Sequence, residues 1–454
     1  EILKGSLTKN INGFTSPDKT TYIFSSMNDK EFDDLMDIYL SLVFNPAFYK
    51  DEKSFKVDGW HYKIEDKDGP LEYNGVVYNE MKGSLSSPDT LLYYSILKSL
   101  YPDTNYAYEF GGNPSEIPDL TFEELKNFYD KYYHPSNSYI YLYGDMDILE
   151  KLDFIDENYL SKFDGIDVDS KLISQEAFKK RRDVTVEYPI GMEESEEGKS
   201  SVSLNFAVDG ENRIDTWTSF NVLTYMLFNN PASPVVQKLN SEGFYNISGG
   251  FSPTFLQPFL SITARNINPD MKEKFVDIVL SSLEDIVENG IDKNLIKSTL
   301  NSVELELRQQ YARDINTGIM YGELVMLNWL YDKDPFAGLS IGESFSKLNI
   351  AIDEPYFEEL IKEYILDNDH SSLVLLKPRK GLMEERLAAE AEKLEEIKKS
   401  LTDEELEKLI KDYIEFTVWN NSPNSEEALS TIPTLSLEDL RPNIEEIPTI
   451  VRNY

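Results

Sequence analysis

The sequence contains no cysteine and only three histidines, His61, His134 and His370. The first absence removes disulfides, thiolate zinc sites and a cysteine nucleophile together. The second is as restrictive. No two histidines lie within four residues of one another, so no pair can share a helix face and chelate zinc from local sequence. His134 and His370 each precede a β-prone run and read as strand-entry residues that hydrogen-bond locally. Basic charge is scarce as well: 44 Lys and Arg stand against 82 Asp and Glu, a formal net charge of −38. With no dense basic patch to offset it, nucleic acid and membrane surfaces are poor partners, since both require clustered Lys and Arg. No apolar run reaches the roughly 18 residues of a bilayer-spanning helix, and no signal peptide is visible. The compartment stays open, with a soluble location in the cytoplasm or an organelle lumen expected.

Several catalytic signatures are missing too. There is no G-x-S-x-G elbow, no phosphate-binding glycine loop and no dinucleotide fingerprint. The glycine-rich "SGGFSP" (Ser248 to Pro253) is followed by a strand rather than a helix and reads as a turn. The acidic balance admits two readings, a solvated surface or an attraction for basic ligands.

What is present suffices for real cores. At 454 residues with 41% hydrophobic and 12% aromatic content, the chain calls for more than one domain. It opens "EILKGSLTKN" without an initiator Met and reads as a piece of something longer. "INGFTSPDKTTYIFSS" (Ile11 to Ser26) places Ser16-Pro17-Asp18 between two β-prone runs, a hairpin signal. Asn28 then caps a helix, with Glu31 three residues on and Phe32, Leu35, Met36, Tyr39 and Val43 on one face.

This pattern returns. "ISGGFSPTFLQPFLSITA" (Ile247 to Ala264) again sets a Gly-Phe turn before a strand, and Asn268-Pro269 opens a helix with Phe275, Ile278, Val279 and Ile286 on one face. Phe251 follows Phe14 by 237 residues. "TFEELKNFYDKYYHPSNSYIYLYG" carries a capping box, Thr121 with Glu124, then a helix, a His and a strand over Tyr139 to Tyr143. "YFEELIKEYILDNDHSSLVLLKP" repeats it, with Phe357 placed 235 residues after Phe122 and His370 placed 236 after His134. Coincident turn, helix, His and strand at one spacing imply an α+β chain of two homologous domains. Each is expected to be a mostly antiparallel sheet with helices packed on one face, followed by a helical hairpin linker.

The expected boundaries are 1–163 for the first domain, 164–185 for a linker containing "KKRRD", 186–380 for the second domain and 381–454 for the hairpin and a connector. "GLMEERLAAEAEKLEEIKKS" and "LTDEELEKLIKDYIEF", the latter opening on Thr402 with Glu405, make the hairpin. The Pro-rich stretch that follows reads as a connector toward a further domain.

Taken in order, "LKGSLTKNINGFTSPDKTTYIFSS", "DGWHYKIEDKDGPLEYNGVVYNEMKGSLSSPD", "YAYEFGGNPSEIPDLTFEELKNFYDKYYHPSNSYIYLYGD", "NNPASPVVQKL" and "EEALSTIPTLSLEDL" resemble the presequence-protease branch of the inverted-motif zinc peptidases, the superfamily of insulin-degrading enzyme and pitrilysin. The resemblance spans essentially the whole chain. It implies a peptidase of two halves, each of two homologous α+β domains, joined by a helical hairpin and closing around a chamber for unfolded peptides.

In that family Zn2+ is held by the two His of an inverted His-x-x-Glu-His helix and by a Glu on a later helix. Three protein ligands leave the fourth position open for water, which zinc acidifies to a pKa of about 7 and the motif Glu deprotonates. The resemblance assigns the third ligand to Glu80 of "GVVYNEMKG", where the apolar start reads as a short strand-like run. It assigns Asn12, Gly13, Phe14 and Thr15 to the edge strand on which a peptide pairs its backbone. A plain edge strand is the competing reading of those four.

The expected His-x-x-Glu-His lies ahead of "EILKGSL", and the Arg and Tyr that assist catalysis come from a second half. No catalytic residue is therefore assigned within this chain, and the missing N-terminal segment and C-terminal half of the same protein are its expected partners. Two other classes remain: a non-catalytic relative serving as a binding or structural subunit, and an acidic peptide-holding scaffold.

Overall fold

Asn10–Thr15 pairs antiparallel with Thr20–Ser25 across the Ser16-Pro17-Asp18 turn, from Asn10 opposite Ser25 to Thr15 opposite Thr20. These strands, β1 and β2, open the computed structural model, which describes residues 6–8, 10–208, 213–313 and 317–440. Helix α1 (Asp29–Phe44) starts where expected, with the Asn28 side chain accepting from the Glu31 amide at 3.0 Å. Leu35, Met36 and Tyr39 bury its apolar face. Glu31 does not complete a capping box. Its buried carboxylate instead accepts from Ser6 Oγ at 2.6 Å, from the Leu7 amide at 2.7 Å and from Ser26 Oγ.

The first unit continues through α2 (Lys53–Asp58), the short antiparallel pair β3 (His61–Lys63) and β4 (Glu72–Asn74), α3 (Val76–Ser84), α4 (Pro88–Leu100), α5 (Phe122–Tyr132) and α6 (Ile148–Asn158). The capping box expected at Thr121 and Glu124 is formed.

The second unit comprises β5 (Arg182–Ile190), β6 (Ser200–Ala207), α7 (Arg213–Thr224), α8 (Pro234–Ser241), β7 (Asn246–Ser252), β8 (Phe259–Ile267), α9 (Lys272–Asn289), α10 (Lys293–Arg313), α11 (Thr317–Trp329), α12 (Ile341–Ala351), α13 (Tyr356–Ile361) and β9 (Ser371–Lys380). Its sheet runs β5-β9-β6-β8-β7, antiparallel throughout except for the parallel pair β5 and β9. Strand β5 begins at Arg182, so the end of the "KKRRD" cluster is strand rather than connector.

Period-two alternation explains how this sheet is covered on both faces. Leu373 and Leu260 point into a core shared with Phe220, Phe275, Val279 and Phe357 from the unit's own helices. Their neighbours Val374 and Phe259 point the other way, into a cluster with Leu97, Leu100 and Tyr101 at the C-terminal end of α4. The first unit thus supplies the cover for the second unit's open face. Polar groups on that face are matched across it: Ser99 Oγ donates to Ser372 Oγ at 2.7 Å, and His370 Nε2 lies 2.9 Å from the Leu100 carbonyl.

Two local expectations fail. Gly249 and Gly250 lie inside β7 and form no turn. A Cβ at Gly249 would stand 2.8 Å from Phe228 Cβ, so this glycine serves a close approach between strand and helix. Tyr139 to Tyr143 joins no ladder among the described residues. A strand needs a neighbour's row of N–H and C=O groups; β9 has two, in β5 and β6, whereas positions one repeat before those strands would be numbered below Glu1. The segment's tyrosines pack on α11 instead, with Tyr139 against Trp329 and Tyr143 against Tyr321 at ring separations of 4.7 and 5.7 Å.

The helical hairpin forms as α14 (Leu382–Ser400) and α15 (Asp403–Asn421), with the Thr402 and Glu405 box in place. Leu394 packs with Ile64 and Leu71, which flank β3 and β4, fixing the hairpin to the first unit. After α16 (Glu426–Ser430) the connector returns to the start of α1, where Asn28 Nδ2 donates to the Asp439 carbonyl at 2.6 Å and Lys30 Nζ to the Thr434 carbonyl at 3.1 Å. Among the described residues, no helix is long and apolar enough to cross a membrane.

Candidate functional site

Strand β1 has the chemistry of a peptide-pairing edge. Among the described residues it pairs only with β2, leaving its other row of backbone groups without a strand. Asn12, Gly13, Phe14 and Thr15 are all exposed, Phe14 by 47%. The Asn12 carbonyl accepts from the Tyr39 hydroxyl at 3.3 Å, and the Asn12 side chain accepts from the Gly13 amide at 2.8 Å. Behind the strand, Tyr22 and Tyr39 meet edge to face at 6.5 Å. Burial, followed by the contact with Tyr133, pushes the Tyr22 hydroxyl above the usual phenol range, so it stays a proton carrier at any ordinary pH.

The hairpin tip is tied down. Ser16 N–H donates to the Lys19 carbonyl at 2.8 Å to close the turn. Asp18 Oδ2 accepts from Tyr106 Oη at 2.8 Å and from Tyr331 Oη at 2.7 Å. Burial first, and the Asp18 charge after it, hold the Tyr106 hydroxyl above the phenol range. In the sequence Asp18 stands out only as a turn residue. Local sequence carries no signal for its second partner, which lies 313 residues away.

Glu80 sits on α3, exposed to solvent and on a different element from β1. The "GVV" run before it is the start of that helix and not a strand; three apolar residues carry no period that could tell the two apart. Helix α3 is held firmly. Gly75 enters it at φ 154°, and a Cβ there would lie 2.2 Å from the Gly59 carbonyl oxygen. Tyr78 is 2% exposed. Lys82 Nζ meets both carboxylate oxygens of Glu390 on α14 at 2.8 Å, so the hairpin grips the helix that carries Glu80.

The three histidines have structural partners. His61 Nδ1 lies 2.6 Å from the Lys56 carbonyl, and its ring rests on Phe416. Burial chiefly lowers its pKa. His134 Nδ1 accepts from the Ser136 amide at 3.1 Å, and His370 is buried. Among the described residues no group of three His, Asp or Glu side chains could hold a metal ion. Zinc therefore has no ligand set within these residues, and one exposed carboxylate does not make one.

Comparison with known proteins agrees with the architecture. A family model described as "Peptidase M16 inactive domain" matches residues 119–303, and a second, for the segment associated with subfamily C of the same peptidases, matches residues 376–453. Protein HypA of Clostridium perfringens is 42% identical over 99% of this chain and 46% of its own length. Presequence protease 1, chloroplastic/mitochondrial, of Arabidopsis thaliana is 32% identical over 99% of this chain and 42% of its own. Among solved structures, a protease from Helicobacter pylori superposes with a TM-score of 0.61 at 15% identity, covering 83% of this chain and 87% of that one. The first half of the periplasmic protease PqqL from Escherichia coli gives 0.58 at 16% identity, covering 92% and 81%. The chain belongs to the M16, or pitrilysin-like, peptidase family. It spans about half the length of the curated relatives it matches.

Proposed function

We propose that the chain is part of a zinc-dependent endopeptidase that degrades unfolded peptides within a closed chamber. In this reading 1–163 and 186–380 are the two homologous domains of one half, and 381–454 leads toward the other half. Zinc and the water it would activate belong to the complete protein. This chain contributes two things: β1 as the backbone-pairing edge, through Asn12, Gly13, Phe14 and Thr15, and Glu80 as one carboxylate ligand on a firmly held helix. The observation that carries the reading is the exposed, singly paired β1 edge in a chain 32% identical to a presequence protease. Main-chain pairing would accept many peptide sequences, and the net charge of −38 would draw basic ones first.

The test uses the complete protein. Glu80→Gln should lower both zinc content and peptide turnover by more than about a hundredfold, while the thermal transition stays in place, because an exposed charged ligand is lost with little change of volume. Unchanged metal content and rate would remove Glu80 from the site. A complete wild-type protein that binds peptide but neither holds zinc nor cleaves would instead identify a non-catalytic binding subunit.

A further inference from the structure

In an ordinary β-hairpin the tip is the loosest part. Here the order is reversed. The strand residues Asn12 to Thr15 are exposed, whereas the Asp18 side chain at the tip is 1% exposed. Its two tyrosine donors come from different parts of the molecule: Tyr106 from the first unit, and Tyr331 from the second, just beyond α11. Both tyrosines also reach the connection between β7 and β8. The Tyr106 hydroxyl accepts from the Leu256 amide at 2.8 Å, and the Tyr331 hydroxyl shares its proton with the Thr254 carbonyl at 2.9 Å. Asn105 Nδ2 adds a hydrogen bond to the Pro17 carbonyl at 2.7 Å.

The turn does not require this carboxylate. Its Ser16 to Lys19 hydrogen bond is main chain to main chain, and Asn or Ser would suit the position as well. A carboxylate withdrawn from water is unfavourable unless donors meet its oxygens, and the donors here span both units. The arrangement therefore fixes the hairpin relative to the rest of the molecule, beyond merely closing it.

We infer that Asp18 is a positioning residue for substrate: it locks the hairpin tip to both units so that the outer edge of β1 is held in one pose for the backbone of an extended peptide. The inference rests on the reading of β1 as a peptide edge. What it adds is the origin of the edge's preorganisation. An edge already ordered loses less conformational freedom on binding than one that must be ordered by the peptide. The ligand class is an extended main chain, read through its N–H and C=O groups.

The test compares the 454-residue chain with its Asp18→Ala and Tyr331→Phe variants. Two quantities are measured: amide hydrogen exchange across β1 and β2 without peptide, and the affinity for a fluorescein-labelled, unstructured basic peptide by anisotropy. Exchange in β1 and β2 is expected to rise about tenfold in Asp18→Ala and less in Tyr331→Phe, with β6 and β9 unchanged, and peptide affinity to fall about tenfold, the factor that loss of one hydrogen bond to a charged acceptor carries. If Asp18→Ala does not fold, Tyr331→Phe carries the test alone. Unchanged exchange in β1 and β2 overturns the lock. Faster exchange with unchanged affinity overturns the positioning role and leaves the peptide edge standing. A wild-type chain that binds no peptide, while the variants still loosen the hairpin, removes the peptide edge and the positioning role with it.

Discussion

Glu31 couples the start of α1 to the segment before β1. Burial alone would raise its carboxyl pKa, but hydrogen bonds from Ser26, Ser6 and the Leu7 amide outweigh it, and the net shift is downward from 4.5. A carboxyl held lower in the folded state than in the unfolded one adds stability that is complete above the unfolded value and lost as pH falls through the folded one. Glu31→Gln should therefore cost about 2 kcal/mol at neutral pH and flatten the acid limb. Urea unfolding from neutral pH into the acid range checks both. A variant as acid-sensitive as the wild type would place the acid limb elsewhere. The same residue marks a limit of local reading. The Asn28 to Glu31 spacing signals a capping box, and half of it forms, but the Ser6 and Ser26 hydroxyls that capture the carboxylate are invisible to a three-residue pattern. Asp18 is the stronger example, because its role depends on tyrosines that only the tertiary fold brings near.

At the level of elements, the sequence was most legible where signals are local. The β1 and β2 hairpin, the capping boxes of α5 and α15 and the helical hairpin stand where turn chemistry and spacing put them. Two glycine-marked segments went the other way: Gly75 opens a helix and Gly249 lies within a strand, since both glycines answer to neighbours that pack against them rather than to a turn. What the helical hairpin docks on was equally hidden, because its surface composition says little about a partner. Leu394 is 4% exposed beneath it. Leu394→Ala should cost about 3 kcal/mol through the cavity it leaves. Hydrogen exchange should then accelerate in α14 and in the β3 and β4 pair together. Acceleration confined to α14 would mean that the hairpin does not stabilise that pair.

The 235 to 237 residue repeat revealed the two-unit plan before any coordinates, but not the way the units interlock. Leu97 of α4 is 0% exposed in a cluster whose other members include Val374 and Leu376 of β9. Because one helix belongs to both cores, the described parts of the two units should unfold in a single calorimetric transition. Leu97→Ala should move that transition down as a whole, at a cost of about 3 kcal/mol. Two separated peaks would show that the units are independent.

The parallel pairing of β5 with β9 also sets a schedule for synthesis. Arg182 lies opposite Ser372, so β5 leaves the ribosome long before its only partner strand exists. After β8 is complete at Ile267, 113 residues must still be added to reach Lys380. At about 5 to 20 residues per second that takes roughly 6 to 20 seconds. Throughout that interval β6 presents an unpaired edge and α4 has no finished sheet to cover. Nascent chains halted between those two positions are the ones on which a chaperone has most to shield.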